Sequence, residues 1–184
     1  GGLWHQSCCY EFPSYTFGAV YIDGGSAQIN NTLIEKNSTF GLWLKNSSST
    51  QIASTEFKEN PGTAERPAAV YIENSSPTIK NSLFQGNVIG ILAENYSAPT
   101  IKDNQFTQNT TPIQINSLLT NIDNNTFQNN SNNGVLVRGF GFSGSSQEIN
   151  WEKINAPYFI DAALTIPAGY KLKVKPGVEI KLLD

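Results

Sequence analysis

From residue 18 to residue 138 the chain repeats itself about every 22 residues, and no other property limits its fold so tightly. An alternating apolar pair recurs as Val20/Ile22, Leu42/Leu44, Val70/Ile72, Ile91/Ala93, Ile113/Ile115 and Val135/Val137. Successive first members lie 22, 28, 21, 22 and 22 residues apart. A second apolar column runs Ile29, Ile52, Ile79, Ile101, Ile122, and a third runs Ile34, Phe57, Phe84, Phe106, Phe127. Three residues after each member of the third column stands an asparagine: Asn37, Asn60, Asn87, Asn109, Asn130. Turn-forming polar residues separate the columns, as in the unit AVYIENSSPTIKNSLFQGN at 69–87.

A unit of this length cannot bury its own apolar positions, but stacked units can. If each unit lays down three short strands and its neighbours pair in parallel about 4.8 Å away, like residues fall above like. The Ile and Phe columns then become a continuous interior. The asparagine column suits tight corners, because Asn tolerates left-handed backbone and its amide can bond to the next coil. No stretch carries useful 3.6-residue periodicity or helix-capping signals. The expectation is an all-β parallel solenoid of roughly six coils at about 22 residues each, followed by a C-terminal β segment.

Units such as GAVYIDGGSAQINNTLIEKN and GILAENYSAPTIKDNQFTQN resemble the right-handed parallel β-helix repeat proteins, the architecture shared with pectate lyases and many bacterial secreted or cell-surface proteins. The resemblance covers residues 18–138 and implies the fold. It implies little about activity, because this fold hosts lyases, hydrolases, adhesins and passive spacers alike.

Residues 1–138 therefore form the coils, with residues 1–17 read as a short irregular first coil in which Gly2-Leu3-Trp4 repeats Gly41-Leu42-Trp43 and Phe12 precedes Val20. The long step of 28 comes from an inserted ENPGTAERP at residues 59–67, whose Pro and Gly favour a protruding turn. The Gly/Ser-rich stretch 139–147 is a connection, and 148–184 a C-terminal β segment that opens a further coil set. Within it, LTIPAGYKLKVKPGVEIKLL resembles segments that do so in bacterial surface β-helix proteins. With no Met even at position 1, the chain is expected to be a mature or excised portion of something longer. Bare solenoid ends expose strand edges, so further chain or head-to-tail self-association is expected there.

The net charge of −3 offers no electrostatic argument for nucleic acid, and no apolar run reaches the roughly 18–20 residues that span a bilayer. No cofactor or metal is expected. Cys8 and Cys9 are adjacent and would point to opposite faces of a strand, and His5 beside them lacks the further ligands a metal needs. The five aspartates, Asp23, Asp103, Asp123, Asp161 and Asp184, are spread along the chain. Asp103 falls in a turn column with Asn31, Ser54, Asn81 and Asn124, and Asp123 in an outward column with Lys80 and Lys102. Those positions read as turn formation and a solvated charge pair. The only arginines, Arg66 and Arg138, have no carboxylate constellation visible in the sequence. No catalytic residue is assigned.

The inward parity of Val20 and Ile22 turns Tyr21 outward, and the same parity turns out Trp43, Tyr71, Leu92, Gln114 and Leu136. Tyr21, Trp43 and Tyr71 then form an aromatic stripe on one outer face, a candidate binding surface unless the 59–67 insertion or the C-terminal segment covers it. The resulting expectation is a non-catalytic stalk, adhesin or filament subunit at the cell surface or outside the cell. Its alternatives are a carbohydrate-binding module, with a glycan as partner, or a fragment of a polysaccharide lyase or hydrolase.

Overall fold

The computed structural model describes residues 18–116, 120–139, 148–161 and 164–183. The expectations about His5, Cys8, Cys9, Phe12 and the first irregular coil, and most of the connection before residue 148, lie outside the described residues.

The described residues wind into a parallel solenoid with three sheets running along its axis. The first is eight-stranded: Val20–Asp23, Leu42–Lys45, Ala68–Glu73, Ile89–Glu94, Thr111–Ile115, Val135–Val137, Tyr158–Ile160 and Ile180–Leu182. The second holds Gln28–Asn30, Gln51–Ala53, Thr78–Lys80, Thr100–Lys102 and Asn121–Asp123. The third holds Leu33–Glu35, Glu56–Lys58, Leu83–Gln85, Gln105–Thr107 and Thr126–Gln128. Each apolar column of the sequence is a column of Cα partners: Ile91 pairs with Val70 and Ile113, Ile101 with Ile79 and Ile122, Phe106 with Phe84 and Phe127. The C-terminal segment continues this stack. Tyr158–Ile160 pairs in parallel with Val135–Val137, and Ile180–Leu182 pairs with Tyr158–Ile160. Its remaining strands, Glu148–Trp151 and Lys171–Val174, pair with each other.

Two forces hold the coils in register. One is burial of the apolar columns, with Phe57, Phe84 and Phe106 stacked nearly parallel at centroid spacings of 5.0 and 4.8 Å. The other is a polar ladder inside the corner after the third sheet. There Asn87 Nδ2 donates to Asn109 Oδ1 at 3.0 Å, and Asn109 Nδ2 donates to Asn130 Oδ1 at 3.0 Å. Asn37 Nδ2 donates to Asn60 Oδ1 at 2.7 Å. Each interior amide also donates back to a carbonyl of the preceding coil, Asn87 to Phe57 O and Asn109 to Phe84 O.

The left-handed residues of that corner are not these asparagines but their predecessors: Lys36, Glu59, Gly86, Gln108 and Asn129, all at φ between 51° and 67°. The expectation that the asparagine column itself takes left-handed backbone is therefore corrected. Its side chains are buried to satisfy the main chain, while the residue before makes the bend. Left-handed residues follow the second sheet at Asn31, Ser54, Asn81, Asp103 and Asn124, which gives Asp103 the turn role read from its column. A second buried ladder, not legible as a column in the sequence, runs Thr55, Ser82, Asn104, Asn125 just after that bend, the backbone N–H of each of the first three donating to the side-chain oxygen of the next.

Candidate functional site

The outer face of the first sheet carries the outward ladder in the register read from sequence: Tyr21 beside Trp43, then Tyr71, Leu92, Gln114 and Leu136. Phe159 extends it beside Leu136. The aromatic stripe exists, with ring centroids 4.7 Å apart for Tyr21 and Trp43 and 5.6 Å for Trp43 and Tyr71. It is not an open platform. Tyr71 is only 2% exposed, against the expectation from its parity.

The cause is the insertion, which folds down as a strap. Gly62 turns left-handed at φ 71°, where a Cβ would sit 2.1 Å from the Ala68 amide nitrogen. Gly62 N–H donates to Thr39 O, and Thr63 N–H and Ala68 N–H both donate to Arg66 O. This geometry lays the Arg66 guanidinium over the Tyr71 ring, 5.2 Å from its centroid, while Phe40 stacks on Tyr71 at 5.3 Å. Arg66 Nε donates to Glu94 Oε2 at 3.1 Å, and Tyr71 Oη donates to the same oxygen at 3.2 Å. Burial raises the Tyr71 hydroxyl well above the ordinary phenol range; the charge of Glu73 adds to this, the Arg66 charge opposes it, and Glu94 adds again. Arg66 thus does have a carboxylate partner, one the sequence hid because it lies 28 residues on.

Past the strap the same face opens into a cleft of about 430 Å³. Its walls carry Glu65 and Pro67 of the strap, and Ile89 and Leu92 give it an apolar strip. Gln114 also lines it, 7% exposed and making no side-chain hydrogen bond with any described residue. One column beside this ladder, at the ends of successive strands, stand Glu94, Asn116, Arg138 and Asp161, and all four line the cleft. Arg138 Nε pairs with Asp161 Oδ2, so the second arginine also has a carboxylate partner, 23 residues on. The other oxygen of Asp161 and Oδ1 of Asn116 are shielded from solvent and accept no hydrogen bond. A buried acceptor left without a donor costs on the order of 1–3 kcal/mol, so two acceptors in one cleft stand ready for a ligand's donors.

Elsewhere the surface is better satisfied. A groove at the corner of the second and third sheets, about 450 Å³, is lined by Ser54, Asn81 and Asp103 of the bend column. It holds no buried unpartnered side chain among the described residues. Lys102 and Asp123 form the expected solvated pair at 3.0 Å. No group of three His, Cys, Asp or Glu among the described residues could hold a metal ion. No helix of the described residues is long and apolar enough to cross a membrane.

Parity along the strands marks Gln114 only as a ladder member and does not mark Glu94 or Asn116, yet a signal for the column is present in the sequence. Asp23, Lys45, Glu73, Glu94, Asn116, Arg138 and Asp161 each stand three residues after the first member of a strand pair. Polar residues at such a position are ordinary on a solvated edge. Their convergence beside a cleft is not legible without the strap.

The three-sheeted parallel coil, with its polar ladders and apolar columns, defines a β-solenoid repeat protein. The family model for the right-handed β-helix region matches residues 14–150, and the chain belongs to that family. No curated protein and no solved structure matched the chain.

Proposed function

We propose that this β-helix is a rigid, non-catalytic adhesive segment of an extracellular or cell-surface protein, and that it binds a glycan in the cleft beside the strap. The observation that carries the reading is the pair of shielded, unpartnered oxygens of Asn116 and Asp161, which line that cleft beside Gln114. A sugar presents hydroxyls that both donate and accept, which suits the Gln114 amide, the shielded oxygens of Asn116 and Asp161, and the guanidinium of Arg138. Its C–H face suits the strip of Ile89 and Leu92. Tyr21 and Trp43, half-buried on the same face, extend the surface along the coil axis. Stacked coils tied by buried amide ladders make a stiff stalk or filament subunit on which to mount such a surface.

The test is a glycan array with the wild-type chain and Gln114→Leu, a change of similar volume that removes the amide. Binding by the wild type and at least tenfold weaker binding by the variant, with unchanged melting, support the reading. No binding to any glycan, or equal binding by both chains, sinks it. Turnover of a polyuronate, with or without calcium, would move the protein to the lyases or hydrolases.

A further inference from the structure

We infer that the cleft selects glycans bearing free amines over acidic or N-acylated ones. This rests on the glycan reading above and adds the charge class of the ligand. Three carboxylates, Glu65, Glu94 and Asp161, line the cleft, against a single lining cation, Arg138. That cation is committed to Asp161. Arg66, in the strap itself, is committed to Glu94 at 3.1 Å, with Glu65 at 3.7 Å. The cleft is therefore left with one carboxylate more than its neighbouring guanidiniums neutralise.

The unsatisfied groups point the same way. Oδ1 of Asp161 and Oδ1 of Asn116 are acceptors lacking donors, and Gln114 offers a further carbonyl oxygen. The terminal torsions of Asp and Asn are soft, so a donor in the cleft can draw either oxygen toward it. A ligand rich in donors and positively charged completes this set, and an ammonium group is both. A carboxylate-bearing sugar brings more acceptors and more negative charge to a site with an excess of each.

The shape favours a chain of amino sugars over a lone lysine side chain. Glu94 and Asp161 stand three rungs apart, roughly 14 Å at strand spacing, with Asn116 and Arg138 between them. A polymer that repeats its amine at every sugar can meet both ends of that column while its hydroxyls meet Gln114 and Asn116. One ammonium cannot.

Calorimetry near pH 6, where a glucosamine amine carries its charge, provides the test. The probes are a β-1,4-linked glucosamine hexamer, its fully N-acetylated counterpart, an oligogalacturonate and a trilysine peptide. The expected result is glucosamine binding at least about tenfold tighter than each of the others, the worth of one charge-assisted hydrogen bond. Asp161→Asn and the surface change Glu65→Gln should each weaken binding of the glucosamine hexamer severalfold, and by a larger factor than they weaken binding of its N-acetylated counterpart. If Asp161→Asn melts early, Glu65→Gln alone carries the comparison. Equal or tighter binding of the acetylated or acidic oligomer, lost in Gln114→Leu, overturns the amine preference while the glycan reading stands. Trilysine binding in place of glucosamine also overturns it, in favour of a protein partner. If no glycan binds, both readings fall.

Discussion

The side-chain amide of Asn87 donates at 3.0 Å to the carboxamide oxygen of Asn109, one coil further on, and at 3.0 Å to the carbonyl of Phe57, one coil back. Its own oxygen accepts from the backbone N–H of Asn60 at 2.9 Å. One side chain thereby serves three coils. Every group it touches is buried, so water cannot take its place.

Asn87→Ala should therefore cost about 1–3 kcal/mol, since it leaves the buried Asn60 N–H without its partner and removes the bond to the Phe57 carbonyl. Urea denaturation measures this. A loss below about 1 kcal/mol would mean that water enters the corner and the ladder matters little.

The residue before each ladder asparagine makes the bend, and at one coil it is already glycine, Gly86. Lys36 adopts φ 52° at the equivalent position with an exposed side chain. Lys36→Gly relieves left-handed strain of about 1–2 kcal/mol, offset in part by the flexibility glycine adds to the unfolded chain. The net expectation is a gain of up to about 1 kcal/mol in thermal unfolding. A clear loss would show that the Lys36 side chain contributes more than the bend costs it.

Arg66→Ala removes the cation over Tyr71 and the pair with Glu94, contacts together worth about 1–2 kcal/mol at a half-exposed site. The strap should loosen while the coils stay folded. Hydrogen exchange at the Gly62 and Ala68 amides reads this directly, and should speed up in the variant with Asn87 unchanged. Unaltered exchange would assign the closure of the strap to its turn and to Phe40 packing alone.

Burial, with a further contribution from the charge of Glu152, pushes the Tyr158 hydroxyl up to about 12, while an unfolded phenol titrates near 10. Because the folded value is the higher, its stability contribution is complete below about pH 10 and is lost as pH rises toward about 12. The gap is worth about 3 kcal/mol in full, and the raised Tyr71 hydroxyl adds to it in the same direction. Melting followed from pH 9 to 12 should fall steeply in the wild type and less so in Tyr158→Phe. Parallel slopes in the two chains would remove Tyr158 from the account.

Much of this architecture is legible along the chain. Alternation at Val70, Ile72 and their counterparts tells which side chains face in, because parity along a strand is a local property. The period then assigns Cα partners, and Phe57, Phe84 and Phe106 stack as their column requires. At the third-sheet corner the left-handed position lies one residue before the asparagine column, since a buried and a bending asparagine look alike in sequence. At the candidate site, parity puts Gln114 on the outward face, but nothing local tells that it lines a cleft and is only 7% exposed.

Coil, period, inward columns and the face that carries the aromatic and polar ladders are all settled along the chain. Each follows from short-range parity multiplied by repetition. That Tyr71 is closed over, that Arg66 meets Glu94, and that Arg138 meets Asp161 at the edge of an open cleft depends instead on how the coils and the strap pack. Those outcomes join residues 23 to 28 positions apart, and the closing of Tyr71 also needs an insertion that breaks the period. A repeat predicts what recurs in every coil. A feature built by one irregular loop is fixed by where that loop packs.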